Sequence, residues 1–537
     1  MNLLSGICRR VVNAGLRVIR YGAALLPCIV AMSFESHAIA AGFTGGVSDA
    51  LGPRYGAQGP PASLPARHPA PHGGTVADWV HHWNEIAIDA SGLDHTPVAP
   101  GEQRVFGEQL GPGRASRAMA IVHIAIFDAM NAIEGGYHGY TNLGPAQSGT
   151  SSRAAIAQAA HDTLSALYPS QAASMDQMLA ADMVELPRGH PTAAGIDLGH
   201  RAAAAILALR ANDGSQYVEE RVGVDFITSN DPGRWRQDPV SLIPLALGAK
   251  WGAVQPFVLA AGYQFRAPAP PAIDSPAYAA AFNEVKQVGG DGVVTLTSRT
   301  PEQTFIGTFW AYDGTPSLCA PPRLYNQIAM QIAQSAKLSA MEMARLMALV
   351  NVAMADAGVA IWESKYFYQY WRPITGIREA DPGTGPTGLG DGNPATQGDV
   401  NFMPLGAPAS NLQGPNFTPP FPAYPSGHAG FGGALFETLG NFFGTDAITF
   451  TLVSDEFNGV TKDDDGNVRP LKPRSFSSLT QAEEENGQSR IYLGIHWNFD
   501  KTQGILQGRN VADYVFEHAF LPTDPKAHHQ ARARPLP

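Results

Sequence analysis

The sequence predicts an all-α fold of two helical bundles, with long loops that shape a site on the second. Alanine-heavy segments at 114–133, 151–168 and 199–213 place apolar residues three and four positions apart, the spacing that lines one face of a helix. A longer helical pattern runs from 323 to about 370, with a break at Leu338-Ser339. Between the two groups, residues 265–276 are proline-rich and mark the seam.

Taken in order, the chain opens on an export signature. Arg9, Arg10, Arg17 and Arg20 precede an apolar segment at 21–34, and Ala38-Ile39-Ala40 offers a small-residue cleavage site. Residues 1–40 therefore read as a signal peptide and the mature protein as periplasmic or secreted; an uncleaved membrane anchor is the alternative. Residues 41–75, rich in Pro, Gly and Ala, form a linker or a strap over the surface. The N-terminal helical half spans 76–270. Its adjacent His81 and His82 point in different directions, which argues against a metal site, and His123 reads as a core histidine with its hydrogen bonds satisfied. The C-terminal helical domain, 271–521, carries the candidate site, and 522–537 reads as a disordered tail.

Composition narrows the function classes. Charged residues are 15% and hydrophobic ones 44%, values of a globular protein. The net charge of −11, from 36 basic and 47 acidic residues, gives nucleic acid nothing to bind, so an anion site must be basic locally. No apolar run reaches the ~20 residues of a membrane span without a charge or amide, and no stable membrane insertion is expected after signal removal. Signal cleavage would leave Cys319 as the one thiol, with little for peroxide to oxidise. Gly383-x-Gly385-x-x-Gly388 is not a dinucleotide loop, because no strand precedes it and no helix follows. Residues 463–467, DDDGN, lack the spaced ligands of a calcium loop and read as a solvated turn.

Three stretches carry chemistry. In KYFYQYWRP, Lys365 and Arg372 are seven positions apart, two helical turns, which puts two cations on nearly the same face. In PSGH, Pro425, Ser426 and Gly427 open a helical pattern, a natural oxyanion site, and His428 adds a group that titrates near neutrality. In SRIYLGIHWNFD, Arg490 supplies a fork of donors. If the segment after Gly494 is helical, Asp500 shares a face with His496, accepts its Nδ1 proton and leaves Nε2 free as nucleophile or metal ligand. Taken alone, a surface arginine and a hydrogen-bonded core histidine explain this last stretch equally well. Together, three cations, a hydroxyl, an amide and two histidines suit a tetrahedral oxyanion that becomes trigonal bipyramidal.

The order Lys-x6-Arg-Pro, Pro-Ser-Gly-His, Ser-Arg-x3-Gly-x-His resembles the signature of the vanadium-dependent haloperoxidases and type 2 phosphatidic acid phosphatases, with all three parts intact. The resemblance implies an all-helical haloperoxidase/acid-phosphatase fold with vanadate as cofactor. Lys365, Arg372, Ser426, Gly427 and Arg490 would hold its oxygens, His496 would be the axial ligand, and His428 would move protons. Hydrogen peroxide and halide would be substrates, with an organic acceptor downstream. In a phosphatase the residue matching His496 would instead attack phosphorus and form a phosphohistidine. A third reading is a non-catalytic phosphate-binding protein, which would have no need of His428. Residues 309–326, FWAYDGTPSLCAPPRLYN, are similar to the segment before the first motif in vanadium chloroperoxidases, where the aspartate matching Asp313 pairs with an active-site arginine. An Asp-Gly turn explains Asp313 as well. Trp362 and Phe421 match aromatic positions beside the vanadate in chloroperoxidases and are expected to form the halide pocket. Gly430, where those enzymes have threonine, leaves halide preference open.

Overall fold

The computed structural model describes residues 46–58, 71 and 73–524. The expected signal peptide, 1–40, and the end of the chain from 525 lie outside the described residues. The N-terminal helices are α1 Val47–Leu51, α2 Val76–Asp94, α3 Gly111–Glu134, α4 Ser152–Leu167, α5 Ala172–Val184 and α6 His190–Arg210. After an irregular stretch come α7 Pro276–Val288, α8 Pro301–Phe309, α9 Pro321–Ser335, α10 Ala340–Tyr368 and α11 Pro373–Arg378. A second long irregular stretch leads to α12 Gly427–Phe443, α13 Leu479–Tyr492 and α14 Asn498–His518. Strands among the described residues are short antiparallel pairs, such as Phe450–Leu452 with Arg474–Phe476.

Helix boundaries follow local chemistry. The hydroxyl of Thr75 accepts from the Asp78 N–H while the Asp78 carboxylate accepts from the Thr75 N–H, so α2 starts on a reciprocal cap. Ser339 and Glu342 do the same for α10. The break between α9 and α10 falls at Lys337, whose φ of 51° is left-handed. Ser478 caps α13 through the Gln481 N–H, but the Gln481 side chain accepts from Ser477 instead.

Helix α10 is the central beam. Nearly all of it is buried, and it packs against α2, α3, α9, α12 and α14. Helices of both halves feed one continuous hydrophobic core. Both α3 and α10 are apolar and long enough to cross a membrane, yet their most apolar windows are 83% and 100% buried inside the protein, as in core helices. Asp356 of α10 accepts the backbone N–H groups of Phe257, Val258 and Leu259 at 2.6–2.9 Å and pins the stretch before the proline-rich seam to the beam. His123 is buried with Nε2 bonded to Asn84 Oδ1 at 3.0 Å, although Nδ1 has no partner. The part of the 41–75 segment that is described packs on the body. Ala50 is buried against Phe106, Leu110 and Leu245, and Gly56–Ala57 pairs with Leu412–Gln413.

Helices α12 and α14 cross on glycine. A methyl at Gly504 would meet Ser426 O at 2.7 Å, and one at Gly433 would meet Ile505 O at 2.5 Å. Only bare backbone allows this approach. It brings the starts of both helices together, where Ser426 N–H donates to Asp500 O at 3.0 Å.

Candidate active site

The starts of α11, α12 and α14 and the ends of α10 and α13 meet at one place. Lys365 lies in the last turn of α10, which stops because Gln369 turns left-handed (φ 50°). Arg372 then caps α11. The two cations therefore do not share a helix, contrary to the expectation from their spacing; the turn between them folds back. Both reach the Phe421 ring, with Lys365 Nζ and Arg372 Cζ each 5.1 Å from its centroid. The carbonyls around that ring hold them. Lys365 donates to Pro422 O (2.8 Å) and Ala423 O (3.0 Å), and Arg372 Nε to Phe421 O (3.0 Å).

His496 precedes α14, so its pairing with Asp500 also has a different origin from the one expected. Asp500 occupies the third position of the helix, and its Oδ2 accepts the Trp497 N–H (3.0 Å) as a cap together with His496 Nδ1–H (2.8 Å). That bond fixes the tautomer. Arg372 Nη1 donates to His496 Nε2 at 2.9 Å, which marks Nε2 as the lone-pair nitrogen. Burial first, then Arg372, Lys365 and Arg490, hold His496 well below the usual histidine value, so the ring is neutral. Burial pushes Asp500 up to about 7, opposed by the Trp497 N–H and the nearby cations.

His428, in the first turn of α12, donates Nε2–H to Ala311 O, leaving the Nδ1 lone pair free. Burial and the positive charge of Arg490 keep this ring neutral as well. Tyr325 Oη (3.0 Å) and Asn486 Nδ2 (2.9 Å) both donate to the His428 carbonyl. Ser426 caps the same helix, accepting the Ala429 N–H, and Gly427 supplies its first N–H. Arg490 ends α13 and donates through Nη2 to both oxygens of Asp313 at 2.6 and 2.9 Å. Asp313 also turns into Gly314 (φ 86°), so the turn and the ion pair coexist.

The site opens through a cavity. Gly427, His428, Arg490, His496 and Asp313 face it, and Trp362 and Phe421 form part of the wall, their rings 5.0 Å apart. The other sequence-expected residues, Lys365, Arg372, Ser426 and Asp500, are buried at the same meeting point. Gly430 does not face the cavity; a methyl there would run into Ile361. Two contributors carried no motif. The Ala311 carbonyl is a backbone group without a sequence signature. His95 lines the cavity with Nδ1 on Ser91 O and Nε2 accepting the Gly111 N–H.

The donor set tests which ligand fits. Arg372 Nη2 and Arg490 Nε and Nη1 are buried N–H groups without a protein partner, a costly state that an oxyanion relieves. A neutral imidazole with its lone pair beside three cations fits an oxyanion whose central atom takes a nitrogen ligand, and vanadate has that property.

Comparison with known proteins agrees. A family model described as the VCPO second helical-bundle domain matches residues 345–524. The vanadium chloroperoxidase of Curvularia inaequalis is 31% identical over 506 residues, covering 79% of each chain. A bacterial vanadium-dependent iodoperoxidase superposes with a TM-score of 0.61 at 24% identity, over 82% of this chain and 97% of that one. A holo-type bacterial vanadium-dependent chloroperoxidase gives 0.56 at 17%, over 76% and 92%. The two structures speak to the fold. The length and identity of the match to the Curvularia enzyme settle the family: the chain belongs to the vanadium haloperoxidases, alongside the vanadium chloroperoxidases.

Proposed function

We propose that this protein is a vanadate-dependent haloperoxidase that uses hydrogen peroxide to oxidise halide, bromide first and chloride as the harder case, to hypohalous acid. The observation that carries the reading is the neutral His496, whose Nε2 lone pair sits among Arg372, Lys365 and Arg490. His496 Nε2 would ligate vanadium. The unpartnered donors of Arg372 and Arg490, the Ser426 hydroxyl and the Gly427 N–H would hold vanadate oxygens. Bound vanadate supplies a Lewis acid on which hydrogen peroxide becomes electrophilic enough for a halide to attack.

The chain's own groups do the rest. Asp500 holds the Nδ1–H tautomer and keeps Nε2 basic. Lys365 has three N–H groups and gives two to carbonyls, so its third is left to polarise a ligand oxygen. His428, steered by Ala311 O, presents Nδ1 to take a proton from hydrogen peroxide and return it to the leaving oxygen. Asp313 fixes the Arg490 fork. Trp362 and Phe421 offer halide a poorly hydrated wall. An organic acceptor then consumes the hypohalous acid. The arginine-flanked apolar run and the Ala38-Ile39-Ala40 site support export to the periplasm or beyond.

The test is reconstitution with vanadate, followed by parallel assays of bromide oxidation and aryl phosphate hydrolysis. Vanadate is expected to switch bromide oxidation on and any hydrolysis off, because both oxyanions need one cage. If vanadate only inhibits hydrolysis and no halide is oxidised, the protein is a phosphatase working through His496 and the proposal falls.

A further inference from the structure

Trp362, the larger ring of the halide wall, is held from behind by a single peptide plane. Its indole Nε1–H donates to Leu247 O at 3.1 Å, and Tyr366 Oη donates to the same oxygen at 2.9 Å. The N–H at the other end of that peptide belongs to Gly248 and donates to Glu219 Oε2 at 2.7 Å. A trans peptide points its C=O and N–H in opposite directions, so Glu219 and Trp362 grip opposite ends of one rigid unit. Glu219 is buried, and its other oxygen, Oε1, accepts from Arg114 Nη1 of α3. Arg114 is fixed in turn through Nη2, which donates to Tyr217 O at 2.8 Å. The neighbouring groups close the frame. Leu247 N–H donates to Pro420 O at 3.0 Å, one residue before Phe421, and Gly248 O accepts the Trp251 N–H at 2.8 Å.

The fit around the ring leaves little play. A methyl at Gly248 would lie 2.2 Å from Trp362 Nε1, and the φ of 78° there is left-handed, so the peptide reaches the ring only as glycine. At the far edge of the indole, a methyl on Gly427 would meet Trp362 Cη2 at 3.3 Å. The ring therefore spans from the Gly248 peptide to the first residue of α12, and a shift of the peptide is a shift of the ring against the cage. A carboxylate on the N–H end also polarises the peptide and strengthens its carbonyl as acceptor for the indole.

We propose that Glu219 is a positioning residue for the halide wall: through the Leu247–Gly248 peptide it sets where the Trp362 indole stands, and so how tightly halide is held beside the cage. The inference rests on the halide-oxidising reading above. It gives the N-terminal helical half a part in the reaction, since Arg114 belongs to α3.

The variant Glu219→Gln tests it. Both ends of the glutamine amide would face donors, Arg114 Nη1 and the Gly248 N–H, so its one oxygen can serve only one of them. Two quantities are read on the full chain. The first is the fluorine NMR line of Trp362 after labelling with 5-fluorotryptophan, picked out from the eight tryptophans by its loss in Trp362→Phe. The second is the KM for bromide against the KM for hydrogen peroxide in the reconstituted enzyme. Glu219→Gln is expected to move the line and to raise bromide KM about tenfold, while peroxide KM and vanadate affinity stay unchanged. Arg114→Lys keeps the charge but loses the fork. It should move both readings in the same direction by less, and it decides the matter if Glu219→Gln does not fold. A purely structural role would lower the melting temperature and leave both readings at their wild-type values, which overturns the proposal. Bromide and peroxide KM rising together overturns it as well. No bromide oxidation by the wild type overturns the halide-oxidising reading instead, and the fluorine line then still decides whether Glu219 sets the indole.

Discussion

Replacing Asp500 by asparagine separates coordination from electrostatics at the cage. Asp500 Oδ2 accepts from His496 Nδ1 at 2.8 Å and from the Trp497 N–H at 3.0 Å, while Oδ1 has no protein partner. An asparagine carbonyl can keep both bonds, with its amide in the Oδ1 position. The Ser426 N–H bonds the backbone carbonyl of 500 and is untouched. The fold is therefore expected to survive, and what is lost is charge. For vanadate the loss is felt through the imidazole, because a less basic Nε2 binds vanadium about 10–100-fold more weakly, or roughly 1.4–2.7 kcal/mol. For sulfate, which makes only hydrogen bonds and ion pairs, the sign reverses. Burial puts Asp500 at about 7, so at pH 8 it is mostly an anion among cations, and removing it strengthens the positive field. Calorimetric titration of vanadate-stripped wild type and Asp500→Asn with each anion at pH 8 is the assay. Vanadate should weaken while sulfate binds at least as well. If the two anions move together, or vanadate affinity is unchanged, Asp500 does not act through His496.

The two histidines should divide binding from turnover: His496→Ala is expected to lose vanadate on gel filtration, measured as vanadium content. His428→Ala should retain vanadate and lose about 10²–10⁴-fold in bromide oxidation. Asp356→Ala orphans three N–H groups, one of them buried and two half-buried, and should cost roughly 2–4 kcal/mol in urea unfolding, with Asp356→Asn costing less because one oxygen remains. Burial holds His123 down to about 3 against 6.5 for a free histidine. Between those values the unfolded chain binds a proton that the folded chain refuses. Its contribution is therefore complete above pH 6.5 and falls by about 1.4 kcal/mol per pH unit below it. His123→Gln should remove that slope, narrowing the gap to wild type by about 2.7 kcal/mol between pH 7.5 and 4.5.

The residues of the cage were legible because their chemistry is written in the side chains: cations, a capping serine and two histidines in a fixed order. How they meet was not. Seven-residue spacing implies a shared helical face only if the helix continues, and a left-handed Gln369 ends α10 before Arg372. The four-residue spacing of His496 and Asp500 gave the right partner for the wrong reason, since helix capping and not a shared face joins them. The Ala311 carbonyl was beyond reach, because every residue has one and only the tertiary fold chooses which meets His428. Leu110, Leu245 and Leu247, which also line the cavity, were equally silent, since in sequence they are indistinguishable from core.

The glycine crossing of α12 and α14 makes the cage width a backbone dimension. Ser426 and Asp500 are spaced by main chain resting on main chain at Gly504, with no side chain between them to yield. Such a contact behaves as a gauge block: it cannot be tuned in small steps, because the smallest available change is a whole methyl group. Drift within this family can therefore reshape the walls freely while the aperture holds. A relative that kept every cation and both histidines but gained an alanine at the position of Gly504 would have the right reagents at the wrong separation.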